Sequence, residues 1–189
     1  MDASTELFLG AVDRLEEDDF VQASPLPGWT IADIVAHVHF NAEAIRRLVS
    51  WARTGVESAM YAGSEQRTAE IAHGATLPPI ELRTLLQDSA GALGHDLDQL
   101  QDAMWSNSVV TAMGRTVPVS ETLWMRTREV GIHAVDLGCG VDFTDLPDGM
   151  LGRLSAEILS KRHAAGEGAA LAAWLSGRSV GAPLPSPWL

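Results

Sequence analysis

The sequence predicts an all-α protein, in the main an antiparallel four-helix bundle. Four long stretches carry apolar residues at helical spacing, and segments rich in Pro and Gly separate them, as is typical of such bundles. Only one short stretch, residues 107–119, has the β-branched pattern of a hairpin. The chain has 189 residues, 46% of them hydrophobic, which suffices for one full core and a small C-terminal appendage.

The first two helices have clear start and stop signals. Ser4 can cap a helix that runs to about Asp19, and the loop QASPLPGWT separates it from the second helix. Thr30 and Asp33 have the spacing of a capping box, with Asp in place of the usual Glu or Gln. The second helix then ends before Gly55, which suits a left-handed C-terminal position.

The later elements follow from the positions of Pro, Gly and Ser. A polar stretch up to about Ala75 is expected to be a loop or a short helix. Ser120 is expected to cap the fourth long helix, which ends at Gly138 or Gly140. The other predicted elements are a helix over residues 80–104, a hairpin within 107–119, a helix over 148–163, and a short Ala-rich helix before a Pro-rich tail.

The acidic composition argues against some classes of partner. The formal net charge is −12, whereas nucleic-acid binding needs clustered cationic side chains, so we expect no nucleic-acid partner. The chain has no apolar run of about 18 residues, and MDASTELFLGAVDRLEEDD lacks the basic region of a signal peptide. We therefore expect a cytoplasmic protein with no membrane partner. Cys139, the single cysteine, is expected to be a small buried side chain rather than a nucleophile.

The fourth long helix carries a polar stripe on a surface that is otherwise largely apolar. Arg126, Glu129, His133 and Asp136 lie along one edge of it, and ionisable groups on a buried helix are costly unless they are paired or bind a metal. Glu129 and His133 are four residues apart, so both can reach one ion. Imidazole and carboxylate are ordinary ligands for zinc and similar ions. The pattern also fits a simple intrahelical ion pair.

A third ligand can come from the second helix. His37 flanks the apolar face of that helix and can point into a gap between helices, whereas His39 lies on another side. One His from this helix and Glu-x-x-x-His from the fourth would form a three-ligand site with positions left for water or substrate, which is typical of a catalytic metal. A buried His with an ordinary hydrogen bond is the other interpretation.

Two separated motifs and the tail resemble a known family. LPGWTIADIVAHVHFNAEA and WMRTREVGIHAVDLG, together with AWLSGR and PLPSPWL, resemble the signatures of the mycothiol-dependent maleylpyruvate isomerase family, a branch of the DinB-like four-helix-bundle proteins. The resemblance implies that His37, Glu129 and His133 bind a divalent metal, zinc above all. It also implies that Arg178 lies near the active site, where it would grip a substrate carboxylate. The other interpretation of Arg178 is a surface cation at a helix end.

The resemblance also implies the activity and its partners. Mycothiol would be the thiol cosubstrate, and its metal-bound thiolate would add to an unsaturated keto-acid such as maleylpyruvate and leave again, giving cis–trans isomerisation. A mycothiol-dependent S-transferase and a non-catalytic binding module stay open as alternatives. The expected partners are therefore a small-molecule substrate and a low-molecular-weight thiol, while monomer and homodimer are both possible.

The chain departs from the family pattern in two places. Phe40 stands where the family commonly has Arg before the Asn of the first motif. The region after the bundle is also short, whereas family members usually have a small α/β domain there. We expect two parts, a DinB-like metal-binding bundle over residues 1–145 and an abbreviated helical and Pro-rich segment over 146–189. The shortened segment leaves the identity of the substrate open.

Overall fold

The computed structural model describes residues 3–181 and residue 183, and these residues form seven helices and one small antiparallel sheet. The chain divides into two compact units, and the boundary in the sequence lies between Leu146 and Pro147. Among the described helices, none is both long and apolar enough to cross a membrane. The elements are α1 (Ala3–Asp13), α2 (Ile31–Thr54), α3 (Ser64–Gly74), α4 (Pro79–Asp98), β1 (Ser108–Val110), β2 (Thr116–Pro118), α5 (Glu121–Asp136), α6 (Asp148–Ala164) and α7 (Gly168–Leu175).

The first unit is the predicted DinB-like four-helix bundle, made of α1, α2, α4 and α5. Helix α2 lies at its centre and packs against α4 and α5, while α1 packs against α5 and α4. The core on α2 is built from residues at helical spacing whose side chains are almost fully buried, as expected for a helix with neighbours on several sides. These residues are Ile34, Val35, Val38, Ile45, Leu48 and Val49.

Helix α2 has both of its predicted ends. Thr30 Oγ1 accepts a hydrogen bond from the Asp33 amide at 3.2 Å, and the Thr30 amide donates to Asp33 Oδ2 at 2.8 Å, so the capping box forms with Asp. Gly55 adopts a left-handed φ of 75°, and its amide donates to the Trp51 carbonyl. These signals fix the two ends of α2, so His37 and His39 both lie well inside the helix.

Two predicted helices are shorter than expected. Helix α1 ends at Asp13 rather than about Asp19, and Glu17–Asp19 form a separate 3-10 turn. Helix α4 ends at Asp98 rather than Met104, and a 3-10 turn follows over Asp102–Ser106. Both predictions extended the helix into a stretch that forms a separate 3-10 turn. After α1 the Glu16 amide donates to Asp19 Oδ2 at 2.7 Å, and such a local hydrogen bond competes with continuation of the helix.

The hairpin and the start of α5 agree with the prediction except at Ser120. Strands β1 and β2 pair antiparallel, with Val109 opposite Val117. Ser120 precedes α5 but has a helical backbone and no side-chain capping hydrogen bond, so the predicted cap is wrong. The Thr122 hydroxyl instead donates to the Val119 carbonyl at 2.6 Å.

Helix α3, the short-helix alternative for the polar stretch, packs closely against α2. Gly74 makes this possible, because a β-carbon there would lie only 2.8 Å from Ala36 Cβ and 3.0 Å from the Phe40 ring. Ile71, one turn before Gly74, lies on the same face of α3 and is also buried. The Phe40 departure therefore lies where α3 meets α2, three residues after His37 in the chain.

The second unit contains α6 and α7. Arg162 and Glu167 form an ion pair at 2.9 Å across the turn between the two helices. The predicted helix over residues 148–163 is confirmed with one residue more, and the Ala-rich helix is present as α7. The Pro-rich tail that contributed to the family resemblance lies outside the described residues except for Pro183.

Candidate metal centre

The structure brings the three predicted ligands together from two helices. His37 on α2 and the pair Glu129 and His133 on α5 each offer a ligand atom, and these atoms lie within 4.8 Å of one another. His37 Nε2 contacts Glu129 Oε1, and His133 Nε2 lies 3.4 Å from the same oxygen. The two imidazole rings are nearly perpendicular, with their centroids 4.9 Å apart. Three ligand atoms thus converge on one point.

Helix α5 is held in register with α2 next to this point. The Arg126 guanidinium, about one turn before Glu129, donates through Nη1 to the Val38 carbonyl at 2.7 Å and to Asn41 Oδ1 at 2.9 Å. Val38 directly follows His37 in the chain. These hydrogen bonds therefore align the two helices within one residue of a ligand.

Asp136, the last residue of the polar stripe, contacts the ligand His133. Asp136 Oδ2 lies 2.8 Å from His133 Nδ1. Because this carboxylate faces one ring nitrogen, the other, Nε2, is directed toward the ligand cluster. The same contact is an ion pair within α5 when His133 is protonated.

Burial and charge together set the ionisation of the ligands. His37 and His133 are only 3% and 6% exposed. Burial lowers the pKa of His37, and this effect outweighs its contact with Glu129. Burial also opposes ionisation of Glu129, yet hydrogen bonds from His133 and His37 hold its pKa well below the usual range. For His133, burial lowers the pKa, but Asp136 and Glu129 raise it to about 9.

The charges of this cluster suit a cation. At neutral pH, without a metal, Glu129 is a carboxylate, His37 is neutral and His133 carries a proton that lies close to Glu129. A divalent ion can replace that proton, since two neutral imidazoles and one carboxylate form a common ligand set for zinc and related metals. The residues present therefore fit a metal with three protein ligands.

Two other side chains contact His37, and the sequence did not predict them there. The Trp29 ring meets the His37 ring edge-on, with centroids 5.5 Å apart. Arg67 Nη2, on α3, lies 3.4 Å from His37 Nδ1. Burial raises the pKa of Tyr61, and the charge of the nearby Arg67 opposes that rise. One signal could have found Arg67: together with Ile71 and Gly74 it follows the i, i+4, i+7 spacing of a single helix face.

The remaining candidates lie elsewhere. His39, as predicted, is on another side of α2, where Nδ1 lies 3.0 Å from the Leu85 carbonyl of α4. Cys139 is half-buried and packs against the core. Arg178 belongs to the second unit, where it is exposed and donates to the Ser176 carbonyl at 2.6 Å. Its role near an active site stays a prediction.

The comparisons with known proteins agree with this architecture. The family model "Mycothiol maleylpyruvate isomerase N-terminal domain" matches residues 1–138. A crystal structure of the mycothiol-dependent maleylpyruvate isomerase is similar with a TM-score of 0.81 and 45% identity, over 82% of this chain and 65% of that one. A structure of a histidine-to-alanine mutant of that enzyme is similar with a TM-score of 0.80 and 44% identity, over the same shares.

The extent of these matches is uneven. The present chain spans less than two thirds of the length of either structure. A search among curated proteins found no match. The family model nevertheless covers well over half of the chain, and it includes both helices that carry the ligand cluster. The chain belongs to the mycothiol maleylpyruvate isomerase N-terminal domain family.

Proposed function

We propose that this protein is a metal- and thiol-dependent cis–trans isomerase of an unsaturated keto-acid such as maleylpyruvate. The observation that carries the proposal is the convergence of His37 Nε2, Glu129 Oε1 and His133 Nε2 on one point. The similarity to mycothiol-dependent maleylpyruvate isomerase supports the choice of thiol and substrate. In this proposal the bundle, residues 1–145, carries the chemistry in the cytoplasm, and 146–189 is a short C-terminal segment.

The chain's own residues would divide the work as follows. His37, Glu129 and His133 hold a divalent cation, zinc, and Asp136 keeps the His133 ring in the orientation that presents Nε2. Three protein ligands leave coordination positions open for a thiol. When bound, the cation favours the thiolate of mycothiol, whose addition to the alkene and later departure from the same carbon permit rotation about the carbon–carbon bond.

The reaction is balanced without any further reagent. The electron pair of the thiolate enters the carbon–sulfur bond while the alkene pair moves onto the keto group, and both shifts reverse when the thiolate leaves. Only the geometry of the alkene changes, so the thiol is recovered. Arg178 is proposed to grip a substrate carboxylate, in accord with its position in AWLSGR.

The test is elemental analysis of the protein purified without chelators, followed by turnover of maleylpyruvate with and without mycothiol. We expect about one equivalent of divalent metal, formation of the trans isomer only when mycothiol is present, and no net loss of free thiol. Consumption of one thiol per substrate would instead identify an S-transferase. A protein that holds no metal and forms no product would refute the proposal and leave a binding module.

A matched pair of variants connects the activity to the site. His133→Ala should lose both metal and turnover, whereas His95→Ala, an exposed histidine on α4, should keep both. If His95→Ala lost as much activity as His133→Ala, the effect would come from general destabilisation and not from the ligand cluster.

A further inference from the structure

We propose that Arg67 is a substrate-binding residue whose guanidinium pairs with a carboxylate of the keto-acid once the metal is bound. The inference rests on the proposed function above and assigns a role to a residue on α3, outside the two helices that carry the ligands. The observation behind it is the position of Arg67 Nη2, 3.4 Å from His37 Nδ1.

The position of Arg67 is built into the fold. Helix α3 lies close to α2 because Gly74 has no side chain to meet Ala36 and Phe40. Arg67 continues the buried side of α3 marked by Ile71 and Gly74, and is itself half-buried. The Tyr61 side chain lies near enough for the charge of Arg67 to act on its pKa. A long, flexible cation is thus placed beside a ligand imidazole and not in open solvent.

Metal binding changes the hydrogen bonds that Arg67 can make. A neutral imidazole has one N–H, and a His37 that gives its Nε2 lone pair to a cation must carry that proton on Nδ1. Nδ1–H and the Arg67 N–H groups are then both donors, so the contact between them cannot be a hydrogen bond. A guanidinium has five N–H groups and no acceptor, so Arg67 must turn to another acceptor.

Charge makes a carboxylate the acceptor of choice. A guanidinium beside a divalent cation repels it, so Arg67 cannot serve to strengthen metal binding. An anion that lies next to both charges removes this conflict. Any keto-acid conjugated to an alkene supplies such an anion, and the planar N–H fork of arginine matches a carboxylate with two parallel hydrogen bonds.

The test uses Arg67→Met, which keeps the length but removes the charge, and Arg67→Lys, which keeps the charge but loses the fork. Metal affinity is measured by chelator competition, and maleate, an unreactive dicarboxylate when no thiol is present, is titrated into the zinc-loaded protein by calorimetry. For Arg67→Met we expect maleate affinity to fall at least about tenfold while zinc affinity stays equal or rises. Arg67→Lys should recover only part of the maleate affinity.

In turnover, Arg67→Met should raise KM for maleylpyruvate more than it lowers kcat. Arg53→Met, an exposed arginine near the end of α2, is the matched control and should leave every measurement unchanged. The inference is overturned if wild-type protein does not bind maleate, or if Arg67→Met binds maleate normally and loses only zinc, since Arg67 would then merely position His37. Maleate binding that depends on Arg67 in a protein without isomerase activity would uphold the anion site and refute the proposed function.

Discussion

The polar stripe of α5 has two halves that use charge in opposite ways. In the first half, Arg126 donates to a backbone carbonyl and a side-chain amide of α2, acceptors that do not change charge near neutral pH. In the second half, one oxygen of Glu129 is approached by His133 of α5 and by His37 of α2. The pKa of His133 is raised to about 9, so this imidazole carries a positive charge beside the carboxylate. The first half fixes the helices, whereas the second is proposed to exchange a proton for a metal. Neighbouring buried polar groups on one helix thus differ in function because their partners differ.

The strongest test of this contrast is removal of a ligand from the second half. His133→Ala should lower zinc affinity by roughly 100- to 1,000-fold, because a structural zinc site gains about 10–16 kcal/mol from roughly four ligands. Chelator competition at pH 7.5 measures the change. Metal affinity within a few-fold of wild type would show that the cluster is only a hydrogen-bonded core.

Loss of the orienting carboxylate should have a smaller effect. Asp136→Asn is nearly isosteric but removes the negative charge 2.8 Å from His133 Nδ1, so zinc affinity should fall by about 10- to 100-fold. The pKa of His133 in the metal-free protein should also fall below its value of about 9. NMR titration of the imidazole gives the pKa, and a variant with unchanged pKa and affinity would mean that Asp136 is only a surface partner.

The proton held by the second half makes metal binding depend on pH. His133 has a pKa raised to about 9 in the metal-free protein and must be neutral to bind a metal, while the pKa of His37 is lowered, so it is already neutral. Zinc affinity should therefore rise by about tenfold per pH unit from neutral pH and level off above the His133 pKa. Calorimetry in buffers of different ionisation enthalpy should show release of about one proton at pH 7. Affinity that stays flat over this range would place the proton elsewhere.

The first half should respond in stability and hardly at all in metal affinity. Arg126→Met removes the side-chain donor to the Val38 carbonyl and to Asn41 Oδ1 in a buried position, which should cost about 1–3 kcal/mol in the free energy of unfolding. Urea denaturation of the metal-free protein measures this cost. A parallel loss of zinc affinity comparable to that of Asp136→Asn would show that the two halves act as one unit.

The sequence was sufficient for the bundle, because the bundle depends on periodic patterns along single helices. For His37, Glu129 and His133 the same patterns left an ion pair and a hydrogen-bonded histidine as alternatives to a metal site, and the resemblance of two motifs to a known family favoured the metal site. The capping box at Thr30 and the turn at Gly55 are local, so the extent of α2 was predictable as well. The ends of α1 and α4 were not predicted correctly, since the apolar pattern continues past the residues at which the helices end.

The surroundings of His37 could not be predicted in the same way. Arg67 reaches the histidine from a polar stretch with little apolar periodicity, and its approach depends on how closely α3 packs against α2. That distance depends on the pairing of Gly74 with Ala36 and Phe40, residues far apart in the chain. Information of this kind lies in tertiary contacts and not in spacing along one helix.

The close contact of Gly74 with Ala36 and Phe40 also determines where the guanidinium of Arg67 lies. Arg67 lies seven positions before Gly74, about 10 Å along the helix axis. A β-carbon at position 74 would push this helix outward, and the guanidinium would be carried off the imidazole even though every residue near the ligands kept its identity. The distance between the Arg67 guanidinium and His37 therefore depends on the absence of a β-carbon at Gly74.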